Sequence, residues 1–234
     1  MAFVAGKGTR VILGTFDLSG YLKSASLAAT KDMLDITTFT DSAREYIEGQ
    51  KAGTATLSGL FDGDVNTQDQ EVQSAFDSSS VKNVAIGLGG LTVGSPVYCG
   101  RIWEAQYERG ASFDNLVTFG GSLTVDGGWE RGLSLHALAA ETATGYYASQ
   151  DNTTSSSNGG AAYIFVTAQS GTAATVLVEH STDNVTFTTL ATFASLSGTS
   201  STRVAVAGTV NRYVRGRLSV ASTSITFQLA FARF

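Results

Sequence analysis

Residues 37–64 read TTFTDSAREYIEGQKAGTATLSGLFDGD, a polar loop that runs directly into a period-two strand. Ala55, Leu57, Gly59 and Phe61 fall on one face, with Thr54, Thr56 and Ser58 on the other. That is the alternation of a strand with one buried face, and Leu60 alone breaks it. Asp41, Arg44, Glu45, Glu48 and Lys51 keep the preceding loop in water, yet Phe39, Tyr46 and Ile47 are set among those charges. An isolated monomer has little reason to place large apolar groups there. The segment therefore reads as a connector that meets another surface, not as a catalytic site.

Outward from this stretch, the 234 residues are enough for one large or two modest domains, each with its own core. Hydrophobic residues make up 43% and charged residues 15%, which excludes a disordered chain. Glycine is abundant (26) beside a single proline, Pro96, which suits many strands joined by glycine- and hydroxyl-rich turns. The expected class is mainly β. Cys99 is the only cysteine, so no internal disulfide is possible, and its expected place is the core of a strand over Val97 to Trp103. The opening MAFVAGKGTRVILGTF is interrupted by Lys7 and Arg10 before any run suited to a signal peptide or membrane anchor develops. The expected location is a cytoplasm, or a particle assembled in one.

Charge is unevenly spread. Residues 1–144 hold 10 basic and 17 acidic groups, a balance of −7, whereas residues 145–234 hold 5 and 3, a balance of +2. Neither part has the basic footprint of a protein that grips nucleic acid through its phosphates.

Strand signals recur at Arg10–Leu13, Ser19–Leu27, Met33–Thr37, Thr54–Phe61, Asn83–Leu88, Ser95–Gln106, Asn115–Asp126 and Leu133–Leu138. One helix, over about residues 67–78, interrupts them. Thr67 and Gln70 form a capping box, Asp69 and Glu71 suit its first turn, and Val72, Ala75 and Phe76 make an apolar stripe. GLGGLTVG at residues 87–94 reads as a turn. Charge and periodicity both fade in the Gly/Ser/Thr-rich stretch 145–160, which separates a first domain at 1–144 from a second at 161–234, with a strand possible from Tyr146. The second holds six closely spaced strand signals, Ala162–Gln169, Thr175–His180, Thr186–Phe193, Thr202–Val206, Tyr213–Val220 and Ser224–Phe231, the pattern of a small Ig-like or jelly-roll-like sandwich.

Candidate chemical sites are few. Asp62, Asp64 and Asn66 set oxygens at alternate positions as a calcium loop does, but Thr67 and Gln73 stand where that loop needs glycine and a bidentate acid. A solvated strand-to-helix turn is the plainer reading. His136 and His180 fall in different predicted domains, no zinc or hydrolase motif surrounds them, and no cofactor motif is present. An enzyme is not expected, and no catalytic, metal or cofactor residue is assigned. Gly6-Lys7-Gly8-Thr9 lacks the upstream glycine of a phosphate loop and reads as a flexible arm. Tyr213, Arg215 and Arg217 share one face of a strand, whose plainest role is a solvated surface and whose next is a subunit contact.

The loop Thr38-Phe39-Thr40-Asp41, leading through Tyr46-Ile47-Glu48-Gly49 into GTATLSGLFD at 53–62, resembles the major tail tube proteins of long non-contractile-tailed bacteriophages. The order of an N-terminal arm, strands, long loop, this strand, one helix and closing strands is similar to that family's tube domain over about residues 1–140. Residues 176–193, VLVEHSTDNVTFTTLATF, and 211–220, NRYVRGRLSV, look like the β-sandwich appended to some members. The resemblance implies a virion protein that forms hexameric rings, stacked into a tube through which DNA passes without specific binding. It also implies tape-measure, tail terminator and distal tail or baseplate partners. Under it, Phe39, Asp41, Arg44, Tyr46, Ile47, Glu48 and Lys51 become candidate subunit-interface residues, with no lumen-facing set assigned. Two other readings stand beside it. One is another virion component, such as a distal tail ring or capsid decoration protein; the other is a carbohydrate-binding adhesin using Tyr146, Tyr147 or Trp129.

Overall fold

A computed structural model describes residues 5–221 and 223–234 of the chain. The first strands are β1 (Arg10–Leu13), β2 (Phe16–Asp17), β3 (Leu22–Asp35) and β4 (Tyr46–Leu60), followed by helix α1 (Gln68–Phe76). Next come β5 (Lys82–Gly87), β6 (Pro96–Gly110), β7 (Thr118–Glu141), β8 (Gly145–Tyr146) and β9 (Gln150–Asp151). The chain closes with β10 (Gly160–Ser170), β11 (Ala174–Ser181), β12 (Thr188–Leu196), β13 (Ser200–Val206), β14 (Tyr213–Val220) and β15 (Ser224–Arg233). The protein is mainly β, as its composition predicts, with antiparallel sheets.

The chain divides into two compact units that are not consecutive in sequence. The first takes the residues up to Gly20, Lys82–Cys99 and Glu130–Phe234, and the second takes Tyr21–Val81 and Gly100–Trp129. Long strands explain why. β7 is 24 residues long and merges the two strand signals at 115–126 and 133–138. Gly127 and Gly128, at φ +84° and +85°, stand within β7 in a backbone region that favours glycine.

In the first unit the strand order is β13-β10-β15-β7-β6-β5-β1-β2, and a second sheet runs β12-β11-β14-β8, with β9 also on β14. Ala162, Ile164, Val166, Phe227 and Leu229 pack with Val176, Val178, Phe193, Val214 and Leu218 between the two sheets. The other face of β10 is covered as well, because Ala161, Tyr163 and Phe165 cluster with Ile12, Ala85, Val97 and Cys99. β10 is therefore an uninterrupted apolar run, with Ala161 to Val166 fully buried. This double burial is the reason the division does not fall at 145. The N-terminal strands supply one wall of the core that the C-terminal strands need. Nor is 145–160 an open linker: β8 and β9 pair with β14, and Ser156 bridges to Val210.

In the second unit β4 lies between β3 and β7, with Leu57 opposite Gly121 and Ala25. Ala55, Leu57, Ile102, Phe119, Leu123 and Val125 are buried there, together with Val72 of α1. Gly59 is required: a Cβ at this position would stand 2.2 Å from the Tyr21 carbonyl oxygen. Phe61, grouped with this face in the sequence reading, lies beyond the strand end and is only half-buried.

The helix begins as expected, but its capping box is altered. Thr67 donates its hydroxyl to the Asp62 and Asp64 carbonyls, and Gln70 accepts from the backbone N–H of Asn66 instead of Thr67. The Asp62–Thr67 segment thus spends its polar groups on closing a turn. α1 is tied to β6 by a polar chain. Gln68 donates to the Tyr107 hydroxyl, which donates to Asp69, and Arg109 donates to both Asp69 and Gln73. The Gly6–Gly8 stretch forms one turn of 3-10 helix instead of a free arm, and Thr9 donates its hydroxyl to the Leu88 carbonyl.

Candidate assembly interface

β3 replaces the two separate strands predicted at 19–27 and 33–37, and β4 begins at Tyr46, eight residues before the predicted start at Thr54. The two form an antiparallel hairpin from Leu22 and Gly59 out to Asp35 and Tyr46. β7 pairs with β4 only from Gly53 to Leu60. Beyond Gly53 the hairpin is a two-stranded ribbon, roughly 20 Å long at about 3.3 Å per residue. Among the described residues β3 pairs with β4 alone.

Backbone register sorts the side chains of the ribbon. Leu34 stands opposite Ile47, Asp35 opposite Tyr46 and Met33 opposite Glu48. Cross-strand partners share a face, so Leu34 and Ile47 lie on one side and Met33 and Tyr46 on the other. All four are exposed, as is Ile36. Both faces of the ribbon therefore expose apolar side chains among the described residues.

The polar residues order the ribbon and its tip. Lys31 and Glu48 form an ion pair at 2.7 Å, which holds the Glu48 carboxyl below its usual range. Glu48 also offsets the repulsion between Lys31 and Lys51, which stand directly opposite each other. At the tip the Thr38 backbone N–H and hydroxyl both donate to Asp41, at 2.6 and 2.9 Å, and hold that carboxyl below the ordinary carboxylate range. Thr37 does the same for Asp35. The Arg44 guanidinium lies 3.4 Å from the Tyr46 hydroxyl. Phe39 sits in this hydrogen-bonded turn fully exposed.

Of the seven residues picked from sequence, Phe39, Asp41 and Arg44 lie in the turn, while Tyr46, Ile47, Glu48 and Lys51 lie on β4. Sequence reasoning missed the apolar residues of the facing arm, Met33 and Leu34 on β3 and Ile36 just past its end. The signal was present in Met33-Leu34-Asp35-Ile36, where apolar residues again sit beside an acid without a one-sided pattern. A second loop of the same unit exposes Phe113 and Leu116 and was not singled out.

The residues weighed for other chemistry are engaged structurally. His136 is buried, with Nδ1 3.1 Å from the Phe227 carbonyl and Nε2 3.0 Å from Glu141, and it stacks on Phe227 and meets the Tyr147 ring at a tilt. His180 Nδ1 accepts the Asn211 backbone N–H at 3.1 Å. Trp129 donates its indole N–H to the Ala28 carbonyl. Of the three aromatics considered for sugar binding, Tyr146 alone stands well exposed.

No family model matches the sequence, and no curated protein matches it. Among solved structures the chain is similar to one from the virion of a native gene transfer agent particle, 14% identical with TM-score 0.46, over 55% of this chain and 98% of that one. It is similar to the SPP1 tail tube, 11% identical with TM-score 0.45, over 55% and 78%. It is also similar to SPP1 Dit (gp 19.1), a hub adsorption apparatus protein of phages infecting Gram-positive bacteria, 11% identical with TM-score 0.40, over 97% and 99%.

Proposed function

We propose that this protein is a non-enzymatic structural subunit of a phage tail, which assembles with copies of itself into rings that stack as the tail tube. The observation that carries the reading is the uncovered β3–β4 ribbon. A two-stranded hairpin is marginally stable in water, and this one exposes Met33, Leu34, Ile36, Tyr46 and Ile47 over two faces while β3 pairs, among the described residues, with β4 alone. Joining such ribbons around a ring pairs the edges and covers the apolar side chains together. An exposed ribbon of this kind otherwise invites uncontrolled aggregation.

The remaining features support the same assignment. The sequence wording from Thr38 to Asp62 resembles tail tube proteins, and residues 1–144 carry the balance of −7 that lets a DNA channel repel phosphate. Hexameric rings, a tape-measure protein, a terminator and distal tail partners follow from that resemblance. A single ring at the tail's distal end is the second reading. It is favoured by the merging of the C-terminal strands into the sheet of β1, β5 and β6, which makes the subunit larger than tube building alone needs.

Sedimentation velocity of the purified full chain over a wide concentration range tests the proposal. Closed oligomers and larger species that grow with concentration are expected. A monomer at every concentration contradicts it.

A further inference from the structure

The outward face of the second sheet of the first unit carries a built arginine–aromatic cluster with no part in the ribbon. Glu179 on β11 is buried, and its carboxylate is gripped by Arg215 at 2.7 Å and Arg217 at 3.1 Å. The Arg215 guanidinium lies 3.7 Å from the centre of the Phe187 ring and 4.3 Å from that of Tyr146, and Arg217 lies 4.8 Å from Tyr146. Register makes this one continuous surface: Tyr146 is opposite Arg217, which is opposite Leu177, itself opposite Thr192, while Arg215, Glu179 and Thr189 form the next row.

Two guanidinium groups face one carboxylate, so a positive charge is left over. Arg215 spends Nε and Nη2 on Glu179 and Arg217 spends Nη1. Among the described residues, Nε and Nη2 of Arg217 have no acceptor. These donors are aimed by Glu179 and the rings, which cuts the entropy lost when an anion binds them. Tyr146 meanwhile stays 61% exposed beside them, and Thr189 and Thr192 are exposed residues on the same face.

We propose that this face binds an acidic saccharide, its carboxylate on the free donors of Arg217, its ring against Tyr146 and its hydroxyls toward Thr189 and Thr192. The chemistry matches group by group: an oriented cation for the oxyanion, an exposed aromatic for the pyranose face, and small hydroxyls for the rest. The proposal is independent of the tail assignment, since none of its residues belongs to the ribbon.

Isothermal titration of the full-length protein with a galacturonate oligomer, the matching galactose oligomer and inorganic phosphate tests it. Saturable binding of the galacturonate oligomer is expected, weakened by salt, with the neutral oligomer and phosphate at least about tenfold weaker. Arg217→Met keeps the aliphatic stem and removes the donors; a loss of about tenfold is expected with thermal stability retained. Tyr146→Ala should lose a similar factor, and because its ring is exposed it carries the test should Arg217→Met misfold. Absence of binding to the galacturonate oligomer, equal binding of galactose, phosphate binding as tight as the acidic sugar, or variants that bind like wild type would each overturn the proposal.

Discussion

Leu34 and Ile47 stand directly opposite each other across the β3–β4 ribbon, on one face, and each is about half exposed. A cross-strand aliphatic pair normally sits over a core. Here it sits past the last residue at which β7 supports β4. The pair therefore separates folding from assembly in a way that substitution can read.

Leu34→Ser combined with Ile47→Ser should leave the melting temperature almost unchanged, because exposed substitutions cost within about 0.5 kcal/mol each. Self-association should weaken by about tenfold or more, as expected where central apolar anchors are lost from an interface. Differential scanning calorimetry and sedimentation velocity on the same samples separate the two effects. A double variant that assembles like wild type removes the ribbon from the interface.

Leu57→Asp addresses the fold itself. Leu57 is buried on the alternating face that the sequence displays, opposite Gly121 and Ala25. A charge there should cost more than about 3 kcal/mol, from lost packing and an unpaired buried carboxylate together. Phe61→Asp, at a half-buried position past the strand, should cost markedly less. Urea unfolding midpoints compare the two variants, and a reversed order contradicts the register of β4.

Glu104 provides a pH signature. Both carboxyl oxygens are buried with no hydrogen-bond partner among the described residues, and burial pushes the group up to about 8 from an ordinary 4.5. The folded state therefore holds a proton that the unfolded state releases, and stability falls as pH rises through the window from about 4.5 to about 8. Glu104→Gln should flatten that decline and raise the melting temperature above pH 8 by roughly 2–4 °C per kcal/mol gained. Melting curves at acidic and alkaline pH check it; parallel profiles for the two proteins refute it.

His180 should act in the opposite sense. Burial lowers its pKa from 6.5, and its Nδ1 accepts the Asn211 backbone N–H, a bond only an unprotonated nitrogen can receive. The unfolded state binds the proton first, so the stabilisation is complete above about 6.5 and is lost as pH falls below it. His180→Gln should show a shallower loss of stability through the weakly acidic range, measured by urea unfolding at several pH values.

How much of this was legible in the sequence depended on burial. β14 was read with its observed bounds because alternation is sharp where one face is covered and the other is wet, and β1 was read with its bounds as a short apolar run, Val11 to Leu13, buried on both faces. β10 could be found but not placed: an unbroken apolar run does not say which two layers cover it, and its second layer comes from strands about 70 to 150 residues away in sequence. The strand signals stop at Asp126 and resume at Leu133, whereas a single strand, β7, runs through Gly127 and Gly128 despite positive φ at both. The outer arm of the hairpin was read only in part, as a separate strand from Met33, because both of its faces are exposed and no period-two pattern arises from Ala28 to Asp35. That same lack of a buried face makes the ribbon a candidate interface. Tyr46 and Ile47 stood out in sequence as apolar residues among charges, whereas Met33 and Leu34 became visible only through the register that sets them opposite.

Electron microscopy of the concentrated, purified full-length protein, compared with the Leu34→Ser/Ile47→Ser variant, tests the central claim most directly. Ribbon-mediated closure of rings that then stack predicts hollow tubes of uniform width for the wild type and none for the variant. A wild-type protein that stays monodisperse and monomeric, or a variant that forms the same tubes, contradicts it.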